Sequence, residues 1–175
     1  MSVSELEFGV LPEPLALNPE SRGVFMPGKK QFSTFVVDKL LFGVEVEKVQ
    51  EVIRYQEMTR VPLAPPIVKG LINLRGQIVT AIDLRRRLDL PERATTHLPM
   101  NVVVRTDDGA VSLLVDEIGD VLELREDVFE RPPDTLEGKA RELILGVYKL
   151  QGHLMHVLNT DTAMSATEGR QASAT

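Results

Sequence analysis

The stretch that decides the fold is Lys69-Gly70-Leu71-Ile72-Asn73-Leu74-Arg75-Gly76-Gln77-Ile78-Val79-Thr80-Ala81-Ile82-Asp83-Leu84, followed by Arg85-Arg86-Arg87-Leu88. Two apolar runs of strand length flank a single Arg-Gly pair, a pattern that predicts a β-hairpin with Arg75 at its tip. Two-residue hairpin turns favour Asn-Gly, Asp-Gly or Gly-X, because the first central residue must tolerate positive φ. Arginine gains nothing from that geometry, so Arg75 indicates a role beyond turn formation.

Three more hairpins are predicted along the chain, with turns at Asp38-Lys39, at Asp107-Asp108-Gly109 and at Gln151-Gly152. Arg85-Arg86-Arg87 is long enough for about one helical turn, and Asn159 or Thr160 is placed to cap a short terminal helix. The other segments are less regular. Residues 48–54 fit both a helical turn and a strand, residues 116–120 are predicted to form a turn, and residues 126–141 a long surface loop.

Strand patterns recur at short intervals and helices are few, so the fold class is mainly β, as barrels or a sandwich. Residues 71–84 and 102–115 are too apolar to leave one face in water, which predicts strands covered on both sides. Two small barrels packed together satisfy this requirement. Residues 1–30 lack periodicity and predict an extended or disordered leader, residues 31–164 the folded domain, and residues 165–175 a flexible tail.

Composition excludes several classes of function. Without cysteine the chain has no disulfide, thiolate metal site or cysteine nucleophile, and no apolar run approaches membrane-spanning length, so a cytoplasmic protein is expected. The net charge of −6 argues against generic binding of a phosphate backbone. Charge is uneven, with six basic and three acidic residues in 69–93 against eight acidic and two basic in 116–134. Either two partners meet two different faces, or the difference is chance.

No motif demands catalysis. His153 and His156 are three apart on a predicted strand and therefore point to opposite faces, which makes a shared metal ion unfavourable. Asp107 and Asp108 are explained by turn chemistry, and no nucleophile elbow, phosphate loop or zinc spacing is present. The run from Arg85 to Arg87 lacks neighbouring aromatic residues for stacking on bases, so solvated arginines are favoured over a nucleic-acid-binding barrel. A barrel that binds a small ligand or performs catalysis is the third alternative.

Several motifs in one order resemble the CheW family, the coupling proteins of bacterial chemosensory arrays, over roughly residues 31–164. They are Val49-Gln50-Glu51-Val52, Gly70-Leu71-Ile72-Asn73-Leu74-Arg75-Gly76, Ile82-Asp83-Leu84-Arg85, Leu114-Val115-Asp116, Pro132-Pro133 and Gly146. The resemblance implies two five-stranded, SH3-like β-barrels packed side by side with a few short helices. It also implies an adaptor that is not an enzyme and that needs no cofactor or metal.

The partners implied by the resemblance are the CheW-like regulatory domain of the histidine kinase CheA, the cytoplasmic tip of methyl-accepting chemotaxis receptors, and other CheW-like proteins in array rings. Neither nucleic acid nor direct membrane insertion is implied. The protein would lie in the cytoplasm, at the membrane-associated receptor array. Its output would be chemotaxis, or a non-flagellar pathway that controls pili, gene expression or a second messenger.

The resemblance also implies the receptor-binding residues, which line an apolar groove between the barrels. Arg75 matches the family arginine that contacts receptors, Val49, Glu51 and Val52 match its neighbours, and Val111 and Ile118 match groove positions on the other lobe. Alternatively, or at the same time, Arg75 pairs internally with Glu51. Ser112 stands where the family often has glycine, which is expected to narrow the groove or alter affinity, and the kinase contacts are unknown.

Overall fold

The computed structural model describes residues 28–165, which form ten strands, three short α-helices and two 3-10 turns. The strands are β1 Lys29–Val37, β2 Leu40–Glu45, β3 Val49–Ile53, β4 Val68–Leu74, β5 Gln77–Asp83, β6 Met100–Thr106, β7 Gly109–Val115, β8 Glu117–Arg125, β9 Ile144–Leu150 and β10 His153–Leu158. The helices are α1 Leu84–Arg87, α2 Gly138–Leu143 and α3 Thr160–Ser165, and the 3-10 turns are Val46–Lys48 and Glu126–Val128.

The strands form two five-stranded sheets. The first lobe has the strand order β8-β1-β2-β10-β9, and the second lobe has the order β3-β6-β7-β5-β4. From residue 28 onward the chain therefore forms two strands of the first lobe, then the whole second lobe, and returns with β8 to complete the first. This arrangement confirms the predicted mainly β class of two packed five-stranded barrels with a few short helices.

Each sheet curls until its two edges meet, at a point where a glycine permits close backbone approach. In the second lobe Thr59, beyond β3, forms a bridge to Leu71 of β4, and a Cβ on Gly70 would lie 2.6 Å from the Thr59 oxygen. In the first lobe Glu130, beyond β8, forms a bridge to Val147 of β9. A Cβ on Gly146 would lie 2.4 Å from the Glu130 oxygen, so both closures require glycine.

Strand periodicity gives the protein three apolar clusters. On β6, Val102 and Val104 enter a large cluster shared by both lobes, whereas Val103 between them packs inside the second lobe with Ile72. Phe32 of β1 likewise packs inside the first lobe, with its ring 5.3 Å from that of Tyr148. Residues 102–115 are thus covered on both faces, as their apolar composition predicts, whereas residues 71–84 are covered only in part, since Ile78 of β5 is 60% exposed.

Some segment predictions were wrong or incomplete. Residues 48–54, which fit two structures, contribute β3. The turn predicted over residues 116–120 is absent, because β8 begins at Glu117 and pairs with β1. The predicted loop of residues 126–141 contains a 3-10 turn and the start of α2. β1 begins at Lys29, inside the predicted leader; residues 1–27 of that leader and residues 166–175 of the tail lie outside the described residues.

Asp116, between β7 and β8, joins the two lobes. Its carboxylate accepts hydrogen bonds from Arg85 Nη2 at 2.7 Å and Arg93 Nε at 2.7 Å in the second lobe. The same carboxylate accepts the Asp38 amide of the first lobe at 2.6 Å, and its own amide donates to the Val36 oxygen at 2.9 Å. A single side chain therefore fixes the point at which the chain passes from one lobe to the other.

The charged groups of this junction are largely removed from water. Side-chain exposure is 8% for Asp116, 13% for Arg85 and 10% for Arg93. Burial alone would raise the pKa of Asp116, but hydrogen bonds from Arg85, the Asp38 amide and Arg93 outweigh it and lower the pKa below its ordinary 3.8. The ionised carboxylate thus stabilises the fold above pH 3.8, and this contribution is lost as the pH falls through the lowered pKa.

We expect Asp116→Asn to lower the free energy of unfolding by about 3 kcal/mol at pH 7, because it removes the carboxylate that both buried guanidinium groups share and leaves Arg85 with only the longer contact to Asp38. Urea denaturation measures the loss, and Asp108→Asn in the exposed β6–β7 turn is the matched control that should be near neutral. The difference between wild type and Asp116→Asn should shrink as the pH falls below 3.8. Equal midpoints at pH 7 would contradict the role given to Asp116.

Candidate functional site

The hairpin between β4 and β5 has the geometry that its sequence predicts. Arg75 has φ +54° and Gly76 has φ +88°, so both central residues of the turn are left-handed. Asn73 Oδ1 accepts a hydrogen bond from the Gly76 amide at 2.9 Å and supports the turn. A non-glycine residue in this conformation costs roughly 1–2 kcal/mol, a cost that Arg75 incurs without a packing gain.

Arg75 is both exposed and internally paired. Its side chain is 85% exposed, and its Nη2 donates to Glu51 Oε2 at 3.0 Å, while the Glu51 side chain is only 17% exposed. Within residues 28–165 this is the one side-chain hydrogen bond of Arg75, so most of its donors face solvent. The two predicted roles are therefore compatible, since Glu51 holds the guanidinium in place while its other N–H groups remain available.

The ion pair crosses the seam where the second barrel closes. Glu51 lies on edge strand β3, and Arg75 follows the opposite edge strand β4. Val52, which follows Glu51 but points to the opposite face of β3, is 37% exposed, and Ile78 of β5, three residues after Arg75, is 60% exposed. We call Arg75, Glu51, Val52 and Ile78 the Arg75 surface. Ile78 was missed by the sequence reasoning, although it alternates with the buried Val79 and so had to face outward.

The remaining predicted site residues are arranged differently. Val49 is half-buried and packs against the apolar cluster shared by the lobes, as does Ile118 of β8 in the first lobe. Val111 was wrongly placed on the other lobe: it lies on β7, in the same sheet as Glu51. Because β7 is a central strand between β6 and β5, Val111 is only 8% exposed and is part of the core.

Ser112 does not narrow a surface groove, since it is fully buried. Its hydroxyl donates to Asn101 Oδ1 at 2.7 Å, and Asn101 Nδ2 donates to the Arg54 oxygen at 3.1 Å. No local sequence pattern indicates this hydrogen-bond network, because Asn101 is on β6, Ser112 is on β7 and Arg54 follows β3.

The arginines of α1 are not the solvated run that was predicted. Arg85 is bound by Asp116, and Arg87 is 8% exposed and donates to the Thr162 and Ala163 oxygens of α3. Arg86 is partly exposed, but it donates to the Pro66 oxygen and pairs with Glu92. Most of this basic charge is used within the fold, which removes the footprint of the nucleic-acid alternative.

Two other kinds of feature, a metal centre and a membrane-spanning helix, are absent from the described residues. Within 28–165, no group of three or more histidine, aspartate or glutamate side chains is placed to hold a metal ion. No helix of that same range has the length and apolar character needed to span a membrane. His156 is buried and its Nδ1 lies 3.0 Å from the Leu41 oxygen, while His153 is exposed, in agreement with their opposite faces.

The two packed five-stranded lobes are the fold that the resemblance to the CheW family implies. The model of the family described as "CheW-like domain" matches residues 31–168. That range is most of the chain. The chain therefore belongs to the CheW family, and the predicted resemblance is confirmed.

Individual relatives agree with this assignment. The chain is 29% identical over 138 residues to the chemotaxis protein CheW of Bacillus subtilis, covering 79% of this chain and 88% of that protein. It is 27% identical over 159 residues to the chemotaxis protein CheW of Treponema pallidum, covering 89% of each. The crystal structure of the scaffolding protein TtCheW from Thermoanaerobacter tengcongensis superimposes with a TM-score of 0.67 at 26% identity, covering 74% of this chain and 88% of that one.

Two substitutions of Arg75 separate its side chain from its backbone cost. We expect Arg75→Ala to change the free energy of unfolding by less than about 1 kcal/mol, because exposed ion pairs contribute little. Arg75→Gly should be more stable than Arg75→Ala by about 1 kcal/mol, since glycine tolerates positive φ. Urea denaturation of both variants tests this, and a loss of about 3 kcal/mol in Arg75→Ala would show that the arginine is a structural element of the barrel.

Proposed function

We propose that the chain is a non-enzymatic adaptor of a bacterial chemosensory array, which couples methyl-accepting chemotaxis receptors to the histidine kinase CheA. Membership of the CheW family supports this proposal, and so do the names of the relatives, which include chemotaxis proteins and a scaffolding protein. The adaptor would act in the cytoplasm, at the array. The same adaptor role is compatible with a flagellar or a non-flagellar output.

The observation that supports the proposal most directly is the conformation and exposure of Arg75. An arginine that adopts a left-handed turn conformation and remains 85% exposed contributes little to folding, so its side chain is available for a partner. Glu51 restricts the motion of the guanidinium before any partner arrives. Such preorganisation reduces the side-chain entropy lost on binding.

The chemistry of this surface suits the tip of a receptor, which is a hairpin of two helices. The free N–H groups of Arg75 can donate to carboxylates or backbone oxygens on those helices, in a planar fork that lysine would not reproduce. Val52 and Ile78 add exposed apolar area next to the charge. A central arginine beside apolar contacts is a common arrangement of binding hot spots.

Two further residues extend the proposed receptor site toward the first lobe. Val49 and Ile118 are both half-buried at the margin of the cluster shared by the lobes, and they come from different lobes. A helix that lies along that margin would contact both of them, which is the helix-in-groove mode of recognition. Val111 lies within the same cluster, and we propose that it supports this margin from beneath rather than touching the receptor.

The kinase partner and the ring partners are proposed from family membership alone. The charge asymmetry that suggested two faces is weaker in the folded protein, because Arg85, Arg87 and Arg93 of the basic half are bound internally. The residues that contact the kinase are not assigned.

The proposal is tested by measuring the binding of wild type and Arg75→Ala to a receptor-tip hairpin and to a CheA regulatory domain. We expect Arg75→Ala to weaken receptor binding by about 2 kcal/mol, or roughly thirty-fold in Kd, because truncation of a hot-spot arginine typically has this effect. Binding of the CheA regulatory domain should be retained.

Arg105→Ala is the matched control, since Arg105 is an exposed arginine that also precedes a hairpin turn of the second lobe. It should bind both partners as wild type does. If wild type binds neither the receptor tip nor the regulatory domain, the adaptor function is wrong. If Arg75→Ala and Arg105→Ala bind the receptor tip equally well, the adaptor function stands and the site assignment fails.

A further inference from the structure

A buried polar pair lies directly beneath the end of β3. The side chains of Asn101 and Ser112 are fully buried, and the Ser112 hydroxyl donates to Asn101 Oδ1 at 2.7 Å. Asn101 Nδ2 donates in turn to the Arg54 oxygen at 3.1 Å. Because the Arg54 carbonyl can only accept, it fixes the orientation of the amide, with the nitrogen toward Arg54 and the oxygen toward Ser112. The Ser112 hydroxyl then supplies the donor that this buried oxygen needs.

The Arg54 carbonyl marks the corner where β3 leaves its ladder. Ile53 is opposite Asn101 in the last register pair between β3 and β6, and the next backbone link is the bridge between Thr59 and Leu71. Between these two points the described chain has no hydrogen bond from one backbone group to another. Apart from a long local contact from Gln56 Nε2 at 3.5 Å, the Asn101 side chain makes the hydrogen bond at this corner, and four residues further on Met58 packs against the interior cluster of the second lobe.

The corner matters because β3 is an edge strand that pairs only with β6, and its register shifts between Val49 and Glu51. Glu51 and Val52 lie two or three residues before the corner. The ion pair of Glu51 with Arg75 joins this edge to the opposite edge of the sheet. Movement at Arg54 would therefore change the position of Glu51 and Val52 relative to Arg75.

We propose that Ser112 and Asn101 are positioning residues, which act through the Arg54 carbonyl to hold Glu51 and Val52 in register with Arg75. In its effect on binding, this inference rests on the proposed function of the Arg75 surface. The effect on the backbone of the free protein does not depend on the proposed function. A residue without a hydroxyl at position 112, such as glycine or alanine, would leave Asn101 Oδ1 buried without a donor and would loosen the corner.

Hydrogen exchange of the free protein tests the backbone effect without any partner. In Ser112→Ala we expect the amides of Thr59 and Leu71, which donate to each other's carbonyls across the bridge beyond the corner, to exchange about tenfold faster. This is in line with the ~1–3 kcal/mol cost of a buried group that loses its partner. Amides of β9 and β10 in the other lobe should be unchanged. Ser33→Ala, which removes a buried serine of β1, is the matched control and should leave the Thr59 and Leu71 amides at the wild-type rate.

Asn101→Ala should give the same local change, and adding Ser112→Ala to it should have no further effect, because the serine acts through the asparagine. Should Asn101→Ala fail to fold, the comparison of Ser112→Ala with Ser33→Ala decides alone. Unchanged exchange of the Thr59 and Leu71 amides in Ser112→Ala would overturn the proposal, as would faster exchange throughout both lobes.

Binding of a receptor-tip hairpin then tests the consequence. We expect Ser112→Ala to raise its Kd several-fold in the wild-type background and to have no effect in the Arg75→Ala background, since both residues act on one surface. An equal loss in both backgrounds would indicate a general structural role and would overturn the proposal. If wild type does not bind the receptor tip while exchange changes as expected, the proposed function fails and the positioning of the corner stands.

Discussion

The whole arrangement depends on the carboxylate of Asp116, which receives two arginines from the second lobe and a backbone amide from the first. The chain crosses between the lobes at this residue. Each lobe has only a small interior cluster of its own, whereas the largest cluster lies where the lobes meet. Neither barrel would be well covered alone, so a charge that fixes their junction also determines which apolar faces are buried.

The arginines also determine which positive charges remain on the surface. Arg85, Arg87 and Arg93 are used within the fold, whereas Arg75 is placed on a turn that strains it and remains in solvent. Arginines of one chain thus have opposite roles, and only their surroundings distinguish them. A buried guanidinium with a buried carboxylate is a structural element, while an exposed one with free donors and apolar neighbours suits recognition.

The local features could be predicted from the sequence, because turn chemistry acts between neighbours. Asp107-Asp108-Gly109, Gln151-Gly152 and Arg75-Gly76 all form the hairpins that their glycines indicate. The pairing of Glu51 with Arg75 was also anticipated, though only as one of two roles. The resemblance to a family added the two-barrel arrangement, which periodicity alone left open as barrels or a sandwich.

The predictions that were wrong concern features that depend on contacts between residues far apart in the sequence. Asp116 was assigned to a turn since its partners Arg85 and Arg93 are far away in sequence, and nothing local shows that β8 starts beside it. Val111 was assigned to the wrong lobe because that assignment came from the resemblance alone, and nothing local in the sequence shows that β7 pairs in parallel with β5, in the same sheet as Glu51. The arginines of α1 were expected in solvent for the same reason, as their acceptors lie on α3 and at the lobe junction.

In the proposed function, the Arg75 surface binds the receptor tip. The most direct measurement is an NMR titration of the isotope-labelled chain with a receptor-tip hairpin. We expect the largest chemical-shift changes at the amides of Glu51, Val52, Gly76 and Ile78. The proposed receptor site would be contradicted if the receptor tip binds while the chemical shifts of those amides stay unchanged and the changes are confined to β9, β10 and α2 of the first lobe.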